Sequence, residues 1–219
     1  MLFHTWPFLL FFAAFYALYL ALRSTRLRLP LLLGASYIFY GWWNPLYLLL
    51  IIYSTLVDYL AVLGMSRGGR KKSWLVLSLL NNLFLLGFFK YGEFVVENLN
   101  EGLSLLGPGW ILPAPDVLLP VGISFYTFQS MSYTIDYWRG KLEAEPNFIR
   151  FASFVALFPQ LVAGPIVRAT EFLPQLRTAR RREDVPLRAC LGLFLVGFVK
   201  KACVSDNLSP FVDAYFANP

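Results

Sequence analysis

The sequence predicts an all-α protein that crosses a membrane several times. Hydrophobic residues make up 58% of the 219 residues and charged residues only 15%, against roughly 25% charged residues in an ordinary soluble domain. Aromatic residues reach 18%, and Trp and Tyr are enriched where a protein meets the lipid–water boundary. This composition excludes a soluble globular domain and a disordered chain.

The distribution of charge and of metal-binding residue types excludes further classes. The formal charge is +6, but the basic residues fall in short loops between apolar runs, which is typical of topology signals and not of a nucleic-acid surface. No nucleic-acid partner is therefore expected. Two cysteines and one histidine, His4, are too few for a disulfide framework or a zinc site, so no metal site is predicted.

The first half of the chain contains three apolar runs. Residues 7–22 form the first apolar run. Residues 31–63 would make a helix of about 50 Å, well beyond a bilayer core of about 30 Å, and Pro45 breaks this run into a hairpin or a sharply broken pair. The basic loops on either side of it should both lie in the cytoplasm. Residues 74–89 follow as the next span, and residues 90–101 as a separate acidic surface helix on the far side.

The second half is less regular. Residues 117–138 read as one span. Residues 148–167 are apolar but interrupted by Pro159 and by a Gly-Pro pair, which predicts a re-entrant segment surrounded by protein. A polar, basic stretch at 168–188 leads into a short apolar run at 187–199. We expect residues 1–219 to form one membrane-embedded domain or part of one.

Four polar or small residues define a stripe along the 117–138 span. Gly122, Gln129, Tyr133 and Asp136 are separated by seven, four and three residues, all of which are same-face spacings on a helix. Because the rest of this helix is apolar, the stripe must face protein or a water-filled path. Two interpretations stay open: hydrogen bonds to a neighbouring helix, or the wall of a substrate path.

Gln160 and Arg168 mark the interrupted segment that follows. Breaks at membrane depth free backbone groups that need new partners, and such breaks often line cavities. Arg168 could meet an anion such as phosphate, or it could be a boundary arginine. Of the other polar residues within spans, Asp58 is expected to face Arg67 or Arg70, and the Asn81–Asn82 pair to join helices.

Known catalytic motifs are missing from the sequence. It contains no Walker A, GxGxxG or HExxH pattern, and a Ser-His-Asp set cannot be built with His4 alone. The residues by themselves predict a multi-pass membrane protein of unknown activity.

Ordered sequence blocks nevertheless resemble the membrane-bound O-acyltransferase (MBOAT) family, in its branch of alginate O-acetyltransferases. Each block is weak alone, and their shared order over nearly the whole chain makes the resemblance strong. The blocks are ASYIFYGWW at 35–43, GFFKY at 87–91, LPVGISFYTF at 119–128 with SYTID at 132–136, FPQLVAGP at 158–165, GFVKK at 197–201 and DNL at 206–208.

The resemblance implies a partial ring of helices with broken or re-entrant segments around a tunnel. It implies transfer of an acyl group, most simply acetyl, from a cytoplasmic donor such as acetyl-CoA to hydroxyls of an exported polysaccharide. No resident cofactor is implied. The family's catalytic histidine belongs to blocks downstream of Pro219, so residues 1–219 are expected to be the N-terminal part of the enzyme, without a catalytic residue and inactive alone.

The same resemblance assigns surroundings and roles. The stripe from Gly122 to Asp136 and the segment from Gln160 to Arg168 are expected to bind substrate by shaping the tunnel wall. Membrane lipid, the polysaccharide and periplasmic acetyl-handling proteins are the expected partners, in a prokaryotic inner membrane. The alternatives are a non-catalytic polytopic binding or transport module, or a subunit that works beside a partner chain.

Overall fold

The computed structural model of the protein describes residues 3, 5–68, 70–104, 112–113, 118–161, 164–179 and 185–217. Every regular element in these ranges is helical, so the prediction of an all-α fold is confirmed. His4, the start of the 117–138 span and residues 162–163 of the interrupted segment lie outside the described residues.

The helices follow one another in two compact units. One unit comprises the described residues of Met1–Ala21 and Thr178–Pro219, and the other comprises Leu22–Arg177. The elements are α1 Trp6–Leu22, α2 Arg28–Gly41, α3 Pro45–Ser66, α4 Lys71–Ser104, α5 Ile123–Trp138, α6 Phe148–Ala156, α7 Phe158–Leu161, α8 Ala169–Arg177, α9 Leu187–Val199, a π-helical turn Lys200–Ser205 and α10 Asp206–Ala217.

The predicted break at Pro45 is confirmed, with α2 ending at Gly41 and α3 beginning at Pro45. The side chain of Asn44 accepts a hydrogen bond from the backbone N–H of Leu46 at 2.9 Å. Asn is a preferred N-cap residue and Pro a preferred first residue of a helix. The sequence Asn-Pro therefore ends one helix and starts the next.

α4 corrects the prediction of two helices over residues 74–101. It is a single helix of 34 residues, Lys71–Ser104. The polar residues from Lys90 onward change its surface and not its backbone, because no proline follows until after the helix ends and Lys and Glu favour helix. α3 and α4 are the two described helices that are long and apolar enough to cross a membrane. That the chain crosses a membrane several times stays a prediction.

The core of the Leu22–Arg177 unit forms where α3, α4 and α5 meet and where α2 packs on α6. The rings of Tyr133 and Phe151 pack against each other at this core, with centroids 4.5 Å apart and planes tilted by 39°, and neither side chain is exposed. Two short helices were not predicted from sequence: α8 lies in the stretch expected to be a polar loop, and α10 continues beyond Lys201 through the π-helical turn.

Candidate functional site

The predicted stripe lies on the buried face of α5. Gln129, Tyr133 and Asp136 are 3%, 0% and 7% exposed, and Gly122 precedes the first residue of the helix. The face is broader than the predicted stripe, since Tyr126, Thr127, Ser130 and Thr134 are buried on it as well. The helical spacing thus located the buried face but underestimated its polar content.

Gln129 and Gln160 converge on one backbone carbonyl. The side-chain amide of Gln129 donates to the Phe154 carbonyl at 2.6 Å, and that of Gln160 donates to the same oxygen at 3.0 Å. The helix breaks at Leu157, whose ψ of 114° is not helical. The Phe158 N–H lies against the Ser36 hydroxyl at 3.3 Å. Because the break frees the Phe154 carbonyl from its helical partner, the two glutamines replace that bond.

Tyr133 joins α5 to the loop that follows it. Its hydroxyl accepts a hydrogen bond from the backbone N–H of Glu145 at 2.9 Å. The side chain of Glu145 is fully buried and pairs with Arg150 at 2.5 Å and with Arg177 at 3.3 Å. This carboxylate therefore ties the loop to the start of α6 and to the end of α8. This role of Glu145 could not be predicted from spacing, because Tyr133 and Arg177 lie 12 and 32 residues away along the chain.

Gly122 makes a close approach that only glycine permits. Its φ of +78° lies in the left-handed region, and a Cβ atom built there would lie 2.6 Å from the Leu161 carbonyl oxygen. Any side chain at this position would be strained and would collide with backbone. Gly122 thus brings the start of α5 against the end of α7.

The side chains of Asp136 and Arg168 take no part in the hydrogen bonds that Gln129, Tyr133 and Gln160 make. Asp136 is buried, and the nearest cation is Lys141, whose Nζ lies 4.0 Å from Oδ1. Arg168 is exposed, and its carbonyl accepts the N–H groups of Glu171 and Phe172 at 3.1 Å at the start of α8. The described structure therefore joins Gly122, Gln129 and Gln160 through α5, α6 and α7, and leaves the Arg168 side chain outside that group.

Asp58 forms a second polar cluster that sequence reasoning missed. Its carboxylate is fully buried and accepts hydrogen bonds from Ser78 at 2.5 Å, from Asn82 at 2.8 and 2.9 Å, and from the Ser130 hydroxyl. The expectation that Asp58 faces Arg67 or Arg70 was wrong, because Asp58 faces α4 and α5. The pair Ser78–Asn82, spaced by four residues within an apolar helix, was the available signal.

The asparagine pair on α4 joins helices as predicted. Asn81 accepts from the Tyr53 hydroxyl at 2.9 Å, and Asn82 accepts from the Ser54 hydroxyl at 2.9 Å while donating to Asp58. Both bonds run between α4 and α3. They hold the two candidate membrane helices in antiparallel register.

The chemistry available to these groups is hydrogen bonding and positioning. Hydroxyls and amides dominate the two clusters, and the carboxylates of Asp58 and Glu145 already have donors. Within the described ranges no group of three or more His, Cys, Asp or Glu side chains could hold a metal ion. The substrate-binding roles of Gly122, Gln129, Tyr133, Asp136, Gln160 and Arg168 stay predictions.

Comparison with known proteins gives a family and several relatives. Residues 141–219 match the model of the MBOAT, membrane-bound O-acyltransferase family. The chain is 41% identical over 213 residues to a probable alginate O-acetylase AlgI of Pseudomonas aeruginosa, an alignment that covers 95% of this chain and 40% of that protein. It is 39% identical over 212 residues to a probable alginate O-acetylase AlgI of Azotobacter vinelandii, covering 95% of this chain and 42% of that protein.

A relative named for a different polymer also matches. The chain is 32% identical over 218 residues to a peptidoglycan O-acetyltransferase of Helicobacter pylori, covering 83% of this chain and 39% of that protein. No solved structure gives a significant match. The chain spans about two fifths of the length of the curated relatives it matches. The resemblance indicated by the ordered sequence blocks is therefore confirmed: the chain is similar to the membrane-bound O-acyltransferase family over residues 141–219 and to probable alginate O-acetylases over nearly its whole length.

Proposed function

We propose that the chain is part of a membrane-bound O-acyltransferase that transfers an acetyl group to hydroxyls of an exported polysaccharide. The observation that carries the proposal is identity of 41% along 95% of the chain to a protein named as an alginate O-acetylase. The family is named for the same type of reaction and for the membrane. A prokaryotic inner membrane, crossed several times, is the proposed location.

The names of two relatives indicate which class of polymer would accept the acetyl group. One relative is named for alginate and another for peptidoglycan. These polymers differ in their sugars but share free hydroxyl groups. A sugar hydroxyl of a polysaccharide outside the cytoplasm is thus the acceptor that both names have in common, and the proposed donor is acetyl-CoA or a similar cytoplasmic thioester.

Transfer to a hydroxyl requires a base that takes the hydroxyl proton as the oxygen attacks the thioester carbon; the carbon–sulfur bond then breaks, and the thiolate leaves as a thiol with that proton. Histidine suits this role near neutral pH. We assign the base to the histidine that the family resemblance places downstream of Pro219. Residues 1–219 would then supply one side of a helix ring and its tunnel wall, within a single domain.

The six site residues fit a wall that is positioned by hydrogen bonds. Gln129 and Gln160 hold the broken segment through the Phe154 carbonyl, and Gly122 sets the distance between α5 and α7. Tyr133 and Asp136 lie farther along the same face, and Arg168 stands at the exposed end of the interrupted segment. In this proposal the substrate passes along a surface whose shape these contacts fix.

Deleting the gene tests the activity directly. Base-released acetate from the exported polysaccharide should fall to background in the deletion strain and return when the complete gene is restored. Inverted membrane vesicles supplied with isotopically labelled acetyl-CoA should label polymer only when the protein is present. Unchanged polymer acetylation after deletion would instead support the non-catalytic binding or transport module.

The role of the wall residues needs variants that separate activity from abundance. Gln129→Leu and Asp136→Asn in the complete protein should lower acetyl transfer more than they lower the amount of protein in the membrane. Gln175→Leu is a matched control, because Gln175 is exposed on α8 and donates only to the carbonyl one turn earlier. Parallel loss of transfer and abundance would mean that Gln129 and Asp136 only hold helices together.

A further inference from the structure

Three arginines from different helices meet at one end of the Leu22–Arg177 unit. Arg150 of α6 and Arg177 of α8 both bind the Glu145 carboxylate, with N–O distances of 2.5 and 3.3 Å. Arg28, the first residue of α2, donates a hydrogen bond to the carbonyl of Leu176, the residue directly before Arg177. We call Arg28, Arg150 and Arg177 the arginine cluster.

The charges of the arginine cluster are only partly balanced. Among the described residues, Glu145 is the one carboxylate that these arginines bind, so three positive charges lie beside one negative charge. Arg28 is only 8% exposed and forms no ion pair with a described residue. Buried charges are normally paired, because their removal from water is costly. An anion that approaches this end of the unit would therefore restore the balance.

Capping of a helix explains only part of what Arg28 does. Arginine side chains near a helix C-terminus often bond the last carbonyls, and the Leu176 carbonyl lies in the last turn of α8. That bond occupies one nitrogen of a guanidinium that has five N–H groups, and it leaves the charge without a counter-ion. The side chain of Arg177 is 51% exposed, and its one described partner is Glu145. Both arginines therefore keep N–H groups that an anion can use.

The arginine cluster lies near the end of a candidate membrane helix. The loop from α5 to α6 carries Glu145, and Tyr59 of α3 donates to the Pro146 carbonyl in that loop at 2.8 Å. Tyr59 is about two turns from the end of α3 at Ser66. The connection from α3 to α4 follows, and its basic residues predict that this end faces the cytoplasm. These residues are Arg67, Arg70, Lys71 and Lys72.

Exposed apolar side chains stand next to two members of the cluster. Leu27, directly before Arg28, is 57% exposed, and Ile149, directly before Arg150, is 37% exposed. A water-soluble phosphate would gain nothing from these side chains, whereas a phospholipid presents a phosphate group and acyl chains side by side. Arginine suits the phosphate group, because a planar guanidinium can bind two of its oxygens at once. The apolar neighbours therefore favour a lipid over a soluble anion.

We propose that the arginine cluster binds the phosphate group of an anionic phospholipid in the cytoplasmic leaflet. Basic pockets between membrane helices on this side are suited to such headgroups. Arg177 supplies exposed donors and Arg28 supplies a charge that no described carboxylate balances, while Leu27 and Ile149 contact the acyl chains. The inference rests on the proposed membrane location and not on acetyl transfer.

Thermal unfolding of the complete protein in a nonionic detergent tests the site without measuring transfer. Dioleoylphosphatidylglycerol in the micelles should raise the unfolding midpoint more than dioleoylphosphatidylcholine, whose choline cancels the phosphate charge. Arg177→Gln should leave the lipid-free midpoint nearly unchanged, because the Arg177 side chain is half-exposed. The same variant should weaken the apparent affinity for phosphatidylglycerol about 5-fold. Arg177→Lys keeps the charge and should lose less affinity.

Arg67→Gln is the matched control for the loss of one positive charge. Arg67 directly follows the last residue of α3, is exposed and pairs with no carboxylate in the described ranges. Its replacement changes the net charge by the same amount at the same end of the unit. The affinity of this variant for phosphatidylglycerol should stay close to that of the wild type.

Several results would overturn the inference. Equal losses of affinity in Arg67→Gln and Arg177→Gln would show that phosphatidylglycerol responds to overall charge and not to this cluster. Equal stabilisation by the two lipids would show that the headgroup charge is not recognised. Stabilisation by coenzyme A with no preference for phosphatidylglycerol would assign the arginines to a soluble phosphate. A large drop of the lipid-free midpoint in Arg177→Gln would mean that Arg177 serves the fold alone.

Polymer acetylation in the deletion strain separates this inference from the proposed function. Loss of acetylation on deletion, together with no preference for phosphatidylglycerol, would refute the lipid site alone. Phosphatidylglycerol binding that depends on Arg177, in a protein whose deletion leaves polymer acetylation unchanged, would refute the transferase alone.

Discussion

Asp58 carries a carboxylate at the point where three helices meet. Burying a carboxylate is costly unless hydrogen-bond donors surround it, and here Ser78 and Asn82 of α4 and Ser130 of α5 provide them. One side chain of α3 thereby fixes the positions of both neighbours. No basic side chain among the described residues is paired with Asp58, so its donors are all neutral.

Removing the acceptor should cost more than removing any one donor. Asp58→Leu removes the acceptor that Ser78, Asn82 and Ser130 share and should lower the free energy of unfolding by at least about 3 kcal/mol, or about 1 kcal/mol for each donor. Ser130→Ala removes one donor and should cost about 1 kcal/mol. Thermal unfolding of the complete protein in detergent measures both. Ser132→Ala is the control, because Ser132 bonds only to a carbonyl of its own helix; an effect as large as that of Ser130→Ala would contradict the prediction.

At the scale of single residues, the sequence identifies which side chains are buried better than it identifies their partners. Spacing on α5 correctly predicted that Gln129, Tyr133 and Asp136 share a buried face. Two of their partners are backbone groups, the Phe154 carbonyl and the Glu145 N–H. Every residue carries such groups, so the residue type does not indicate which of them will be a partner. Asp58 was assigned to the nearest arginines along the chain, although its partners lie on other helices.

At the scale of elements, the close approach of α5 and α7 depends on Gly122. The helix α6 ends at Ala156, α7 covers only Phe158–Leu161, and the Leu161 carbonyl then lies where a side chain of residue 122 would be. The break itself could be predicted from Pro159. The contact could not, because a glycine before a helix is common and does not say what comes near it.

Alanine at two glycines separates backbone strain from collision. Gly140 has a φ of +72° and open space around it, whereas Gly122 has a φ of +78° and a neighbouring carbonyl oxygen. Gly140→Ala should cost about 1–2 kcal/mol of unfolding free energy, the ordinary cost of a left-handed residue. Gly122→Ala should cost clearly more, by chemical or thermal unfolding of the complete protein. Equal costs would mean that α7 moves away freely.

α4 shows why helix length was the weakest of the element predictions. A bilayer core of about 30 Å suggested an end near Phe89, and the recurring glutamates beyond it were assigned to a separate helix. The membrane limits the apolar part of a helix and not the helix itself. Continuity of the backbone depends on propensity, and no proline or strong cap interrupts Lys71–Ser104.

At the scale of the molecule, charge divides the Leu22–Arg177 unit into two ends. We call one end the basic end; it contains the connection from α3 to α4 and the residues that follow α5. The opposite end contains the last turns of α4. The basic end carries Arg67, Arg70, Lys71, Lys72, Arg139 and Lys141, and the opposite end carries Glu93, Glu97 and Glu101. By the positive-inside rule, the basic end should face the cytoplasm.

Cysteine labelling can test this orientation in cells. In a background with Cys190 and Cys203 replaced by serine, a cysteine at Glu101 should react with a membrane-impermeant maleimide while the inner membrane is intact. A cysteine at Ser66 should react only after lysis. Both positions are exposed, so accessibility differs only through the membrane. The opposite pattern would reverse the topology.

The exposed surface of residues 187–217 predicts how residues 1–219 behave when expressed alone. None of the residues of α9, the π-helical turn or α10 is buried. Many of them are large and hydrophobic, and Leu193, Phe211 and Tyr215 are among the most exposed hydrophobic side chains. Exposed apolar surface of this kind favours association. Residues 1–219 expressed alone should therefore aggregate or be degraded, as size-exclusion chromatography in detergent would show. A monodisperse monomer would mean that these helices need no cover beyond lipid.

The uninterrupted length of α4 has a mechanical consequence. A helix of 34 residues is about 51 Å long, so in a helix that crosses the bilayer core of about 30 Å upright, about 20 Å would extend past it. The projecting part is rigidly continuous with the part that Asp58 and the asparagine pair anchor. Any tilt of the anchored part would be amplified at the acidic tip. A spectroscopic label at this acidic end would therefore report, from outside the lipid, on tilting of the part of α4 that lies inside it.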